Sequence, residues 1–261
     1  MTTFLSRLKT SIERAGSPLC VGLDPDPAKI PKHFGYGAEG AQKFLEEIII
    51  ALWTKVAAFK PNTAFFEAYG SGGWLMLERL RIACPPDVLW LVDAKRGDIE
   101  HTNEFYARAL FDRVGADAVT VQPYLGMAAL EPFWRHTDKG VFVLTATSNP
   151  SAALIQELSV GERALYEEVA RQVQASNLNG NLGLVVGTTK PAALASVLKI
   201  APELPLLLPG SGAQGGSVAV LDQVKAAGGT ALLNVSRSVL YASNGPDCIK
   251  AAVNEVEKLS P

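Results

Sequence analysis

The sequence predicts an α/β fold, a single-domain (β/α)8 barrel of the TIM type over residues 1–261, and three observations lead there. Eight short apolar runs, each ending in polar or glycine residues, follow one another along the chain. A longer stretch of helical periodicity follows each run. With 48% hydrophobic residues among 261, the chain can bury one large core, and its length suits one barrel better than two small domains. A doubly wound open sheet uses the same alternation; the count of eight strands decides for the barrel.

Met1 to Ala15 places Phe4, Leu5, Leu8 and Ile12 at helical spacing, with Arg7, Lys9, Glu13 and Arg14 on the other side, and reads as a short helix closing the barrel bottom. The eight strands read as Leu19 to Asp24, Val56 to Asn62, Val88 to Lys95, Ala118 to Pro123, Gly140 to Thr147, Leu182 to Thr189, Leu204 to Gly210 and Ala231 to Ser236. Their near-continuous apolar character means burial on both faces, as in a parallel sheet covered by helices. Between them, segments such as Ala41 to Ala57 and Glu162 to Gln174 have helix-forming composition and apolar residues three or four apart. Ser148 to Val160 is a long connection after the fifth strand, read either as a mobile loop over a site or as an ordinary surface excursion.

Composition excludes several classes of function. The formal charge of −2, from 24 basic and 26 acidic residues, lacks the basic excess that nucleic acid or an anionic membrane surface favours. No run of about 18 apolar residues is present to cross a bilayer. The first segment is too charged for a secretory signal, and its Glu13 is unusual for a transit peptide. Cys20, Cys84 and Cys248 form no CxxC pair and no disulfide framework, so a reducing cytoplasm is the expected compartment. His33, His101 and His136 are scattered without HExxH or triad spacing, which disfavours metal and triad chemistry. Trp53, Trp74, Trp90 and Trp134 read as core or interface residues.

In a barrel of this type, polar residues at the carboxyl ends of the strands converge on one mouth. That rule selects Asp24, Lys60, Asn62, Asp93, Lys95, Gln122, Thr145 and Ser148, with Gly210, Gly212 and Gln214 after the seventh strand and Arg237 after the eighth. The third strand is the most informative: VDAKRGD sets Asp93 and Lys95 two apart, hence on one face, and Asp98 three further on. With Lys60 alongside, alternating charges would keep one another ionised. The competing reading is a structural ion-pair network at the rim. LPGSGAQGG carries a GxGxxG pattern, but it follows the seventh strand and has no acid about 20 positions on, so a dinucleotide site is disfavoured. A phosphate cradle completed by Arg237 fits better, the alternative being a flexible turn.

Taken together, VGLDPD, FKPNTAFFE, VDAKRGDIEHT, TSNPSA, PGSGAQGG and NVSRSVLY resemble orotidine 5′-monophosphate decarboxylases of the longer-chain bacterial branch over most of the chain. The resemblance implies cofactor-free, metal-free decarboxylation of orotidine 5′-monophosphate (OMP) to UMP, in a homodimer with shared sites. Lys95 would protonate C6 as CO2 leaves, with Asp93 against the substrate carboxylate and Lys60 bridging carboxylates and a ribose hydroxyl. Asp98 and Thr102 would enter from the partner subunit, Asp24 and Thr102 holding ribose hydroxyls. Ser148 would meet the pyrimidine edge, and Gln214 with Arg237 would grip the phosphate, Gly212 and Asn62 being further substrate-binding positions. Ser236 stands where many relatives have glycine, and Asn149 where others carry histidine. Ile99, Phe105 and Tyr106 would form part of the two-fold interface. Two rivals remain: a metal-dependent hexulose-phosphate synthase or keto-gulonate-phosphate decarboxylase of the same barrel group, and a catalytically silent nucleotide-binding relative.

Overall fold

In the computed structural model, residues 3–210 and 216–260 are described. In chain order the strands are β1 (Leu19–Leu23), β2 (Ala58–Pro61), β3 (Leu89–Arg96), β4 (Ala118–Val121), β5 (Gly140–Ala146), β6 (Ser159–Val160), β7 (Arg163–Ala164), β8 (Leu182–Val186), β9 (Leu206–Pro209) and β10 (Ala231–Val235). All but β6 and β7 run parallel and close into an eight-stranded barrel, sealed by β1 against β10 through Leu19↔Leu233 and Val21↔Val235. The barrel expected from the sequence is therefore present. Several apolar runs reach past the observed strands at their carboxyl ends, where Asn62 and Gln122 keep single links to β3, Asn62 by a bridge to Asp93 and Gln122 by donating its N–H to Arg96 O.

Alternation along each strand sorts side chains into two cores. Cys20, Ala58, Leu89, Leu91, Ala118, Phe142, Leu207 and Leu232 pack inside the barrel. Their neighbours Val21, Phe59, Trp90, Val92, Val119, Val143, Leu208 and Leu233 belong to the larger core between barrel and helices. Trp90 is fully buried there, while Trp53, Trp74 and Trp134 are half-buried against it.

The first helix, Phe4–Ala15, closes the bottom of the barrel as its amphipathic spacing predicts. Thr3 Oγ1 caps it by accepting from Ser6 N, and Gly16 ends it at φ 63°, a left-handed conformation that glycine adopts without strain. Phe4 and Leu8 complete the interior cluster. The Phe4 ring meets Phe142 edge-on at 6.0 Å, and a Cβ on Gly140 would lie 2.3 Å from that ring, so this contact requires glycine. Ser11 Oγ donates to Ala57 O at 2.6 Å, and Arg14 donates to Val56 O and Trp53 O at 2.7 and 2.8 Å, fixing the helix to the strand feet.

The long connection after β5 has structure of its own: a 3-10 turn at Pro150–Ala152, a short helix Ala153–Gln156, and the antiparallel pair β6 and β7. No helix among the described residues is long and apolar enough to cross a membrane.

Candidate active site

Leu89, Leu91 and Asp93 alternate onto the inside of β3, so the apolar floor turns ionic at the next inward position. Ala58 and Lys60 do the same on β2, and Ala118 and Thr120 on β4. Lys60, Asp93 and Thr120 thereby form one layer at the mouth. Lys60 Nζ donates to Asp93 Oδ2 at 3.1 Å and Lys95 Nζ to Asp93 Oδ1 at 2.6 Å. The Lys60 and Asp93 side chains are 5% and 11% exposed, whereas Lys95 is 47% exposed and leans into the open mouth.

Lys95 reaches this position through an irregularity that simple alternation does not foresee. Between Val92↔Val119 and Arg96↔Val121, β3 advances four residues while β4 advances two, so β3 bulges. Lys95 sits in that bulge at φ 47°, and it is the one non-glycine residue with positive φ among the described residues. Such a conformation costs about 1 kcal/mol or more in a non-glycine residue, a strain typical of functional sites. Thr120 offsets part of it: its Oγ1 accepts from the displaced Lys95 N at 3.0 Å and donates to Asp93 Oδ1 at 2.7 Å. Asn62 extends the β2 and β3 pairing by a bridge to Asp93, and its Oδ1 caps helix Thr63–Glu67 by accepting from Ala64 N.

The electrostatics follow from this packing. Burial alone would raise the Asp93 carboxyl, but Lys60, Lys95 and the hydrogen bonds from Lys95 and Thr120 hold it well below the usual carboxylate range. Burial alone would lower the Lys60 ammonium; Asp93 and then Asp24 more than offset it, and the net direction is upward. Both groups are therefore charged at neutral pH. Cys20, in the interior nearby, is pushed up to about 12 chiefly by burial and stays a neutral thiol.

Above the array opens a cavity of about 460 Å³, lined by Lys60, Asp93, Lys95, Thr120, Ser148 and Gln156 among others. Gln156 ties the excursion after β5 back to its root: its Oε1 accepts from Thr147 N at 2.8 Å and its Nε2 donates to Thr147 Oγ1 at 2.9 Å. Ser148 and Asn149 line the cavity beside it, and a Cβ on Gly187 would lie 2.9 Å from Ser148 N, so the end of β8 packs tightly under that loop.

Of the other residues singled out in the sequence, Asp24 adjoins the array through its charge on Lys60, and its Oδ2 accepts from Ser236 Oγ at 2.5 Å. Arg237 is exposed at the start of the short helix Arg237–Leu240. Gly212 and Gln214 lie outside the described residues. Asp98 and the half-buried Thr102 do not line this cavity. Asp98 instead opens helix Glu100–Ala107 in a turn held by the buried Asn103, whose Oδ1 accepts from Asp98 N and whose Nδ2 donates to Asp98 O and Ala129 O.

Two strand-end candidates are corrected. Thr145 is out of phase with the inward-facing Leu144 and donates to Val143 O. Gln122 braces the RGD turn, donating to Gly97 O and accepting from Tyr124 N. Thr120, Thr147 and Gln156 were missed. Thr120 could have been found by phase, two residues beyond Ala118 as Lys60 is beyond Ala58. Gln156 gives no local signal.

Fold and site together define a class: a (β/α)8-barrel enzyme with fixed ammonium and carboxylate charges at the carboxyl ends of its strands. More narrowly, the chain belongs to the orotidine 5′-phosphate decarboxylase / HUMPS family, whose model matches residues 17–252. It is 47% identical over 262 residues to the orotidine 5′-phosphate decarboxylase of Roseiflexus castenholzii, covering 98% of this chain and 95% of the relative. The Herpetosiphon aurantiacus relative of the same name is 45% identical over 251 residues, covering 95% and 93%. Among solved structures, Leishmania donovani OMP decarboxylase superposes with a TM-score of 0.85 at 40% identity, covering 99% of this chain and 98% of that one.

Proposed function

We propose that this chain is an orotidine 5′-monophosphate decarboxylase, a carboxy-lyase that converts OMP to UMP and CO2 in de novo pyrimidine biosynthesis. The observation that carries the reading is the Lys60, Asp93, Lys95 array facing an open cavity. Family membership and relatives of that name near 47% identity support it.

When the bond from C6 to the carboxylate breaks, CO2 leaves and the electron pair stays on C6 in an sp² orbital that no carbonyl delocalises. A fixed ammonium is what that charge needs, and Lys95 supplies it and then transfers a proton to C6, regaining one from solvent. Asp93 orients Lys95 and lies against the substrate carboxylate; Lys60 holds Asp93 and reaches a ribose hydroxyl. Asp24 and Asn62 serve the sugar side, Ser148 the pyrimidine edge, and Gly212, Gln214 and Arg237 the 5′-phosphate. The reaction uses neither metal nor organic cofactor and runs in the cytoplasm, a setting suited to the three free, buried cysteines.

In this reading the working unit is a homodimer in which Asp98 and Thr102 complete the neighbour's site. Ile99 and Phe105 are exposed apolar residues beside them, which favours an interface on that face. The primary test is loss of OMP absorbance with purified protein in excess EDTA: turnover is expected, and EDTA-sensitive or absent turnover refutes the reading. For the shared site, inactive Lys95→Ala and Asp98→Ala homodimers, mixed and re-equilibrated, should recover up to roughly a quarter of wild-type activity. No recovery, with subunit exchange shown independently, returns Asp98 to its own subunit's site.

A further inference from the structure

Ser236 follows β10, which pairs with β1, so the residues after the two strands lie side by side. Its hydroxyl donates to Asp24 Oδ2 at 2.5 Å and lies 3.5 Å from Gly22 O. The fit depends on Gly22, because a Cβ there would lie 2.7 Å from Ser236 Cβ and 2.9 Å from its Oγ. The backbone of Asp24 is held as well. Tyr241 Oη donates to Asp24 O and accepts from Asp26 N, both at 2.8 Å, and Tyr69 Oη donates to Pro25 O at 3.2 Å. Main chain and one carboxylate oxygen are thus fixed by three separate hydroxyls. The other oxygen, Oδ1, is buried and has no protein partner among the described residues.

We infer that Ser236 is a positioning residue for the substrate sugar: it holds Asp24 by one carboxylate oxygen and leaves the other, desolvated and without a partner, for a ribose hydroxyl to take up. A buried carboxylate oxygen without a partner is costly, and a hydroxyl donor from a ligand satisfies it. The location suits a sugar. Asp24 acts electrostatically on Lys60 on one side, and Arg237 follows Ser236 directly on the other. A nucleotide with its base at Lys95 and its phosphate at Arg237 carries its ribose between them, an assignment that rests on the proposed function.

The test is calorimetric titration of wild type, Ser236→Ala and Ser236→Gly with UMP and with 2′,3′-dideoxy-UMP. Loss of a hydrogen bond to a charged group is expected to weaken UMP binding about tenfold in both variants, while dideoxy-UMP binding changes by about twofold or less. In turnover the same variants should raise KM for OMP more than they lower kcat. An equal loss on both nucleotides would overturn the inference by making Ser236 a phosphate or folding residue, and an unchanged UMP affinity would overturn it outright. Failure of the wild type to bind UMP at all would instead sink the functional reading on which it rests.

Discussion

Two buried carboxylates at opposite ends of the barrel carry the same charge pattern and serve different ends. At the bottom, Asp117 is 4% exposed and lies between two arginines: its Oδ1 pairs with Arg7, and its Oδ2 lies 3.4 Å from Arg81 and accepts from Trp90 N at 2.9 Å. At the mouth, Asp93 lies between two lysines. The arginines spend their remaining donors on the protein, Arg7 on Asp138 O at 3.1 Å and Arg81 on Gly115 O at 3.0 Å, so the bottom cluster knits loops together and is closed. Lys60 and Lys95 donate to no protein group but Asp93 among the described residues, so each ammonium keeps donors for a ligand. A guanidinium forks rigidly and does not give up its proton, whereas an ammonium is a compact charge that can. Residue choice around one motif thus separates a closed staple from an array that keeps donors for a ligand.

The comparison breaks first at Lys95. Lys95→Ala should lower kcat by more than about a thousandfold, since in the proposed mechanism it removes the proton donor and the charge opposite C6, with little loss of stability. Turnover near wild type in a stopped assay would put the chemistry elsewhere. At the other end, Asp117→Ala strands two guanidinia and the Trp90 N–H and should cost about 3 kcal/mol in urea unfolding, while kcat of the folded fraction stays unchanged. A mutant that unfolds normally but turns over slowly would erase the distinction between the two ends.

The pH dependence sharpens it. Asp93 is held below its ordinary value, so its ionisation stabilises the fold above about pH 4 and that contribution is lost as pH falls through the depressed value. Lys60 is held above its ordinary value, so its contribution is present below about pH 10 and lost as pH rises through the raised value. The stability difference between wild type and Asp93→Asn should therefore be flat from about pH 5 to 8 and shrink toward acid. A step near neutral pH, measured by unfolding at each pH, would mean the array is not ionised as described. The smallest effect is expected on stability in Lys95→Gly: relief of the positive φ, worth about 0.5–1 kcal/mol, opposes loss of the ion pair to Asp93, so urea unfolding should shift by less than about 1 kcal/mol while turnover is lost as in Lys95→Ala.

The barrel was legible because eight apolar runs bounded by polar ends reflect a local requirement, burial on both faces, that each strand meets separately. Lys60, Asp93 and Lys95 were legible for the same reason, as charges that interrupt such runs at their carboxyl ends. Thr145 and Gln122 satisfied that rule and still serve the scaffold, because position at a strand end does not say which way the side chain faces.

By itself, then, the sequence determined the strand order, the helix that closes the barrel, and which strands would carry ionisable groups, all of them set by periodicity along one segment. Only the tertiary structure decided that β3 bulges by two residues relative to β4, that Lys95 bends back at positive φ onto Asp93, and that Thr120 fills the broken ladder. It likewise decided that Ser236 and Asp24, 212 residues apart, share a proton donor and acceptor. Those outcomes depend on the register between strands distant in sequence and on which buried polar group is left needing a partner, and no single segment contains that information.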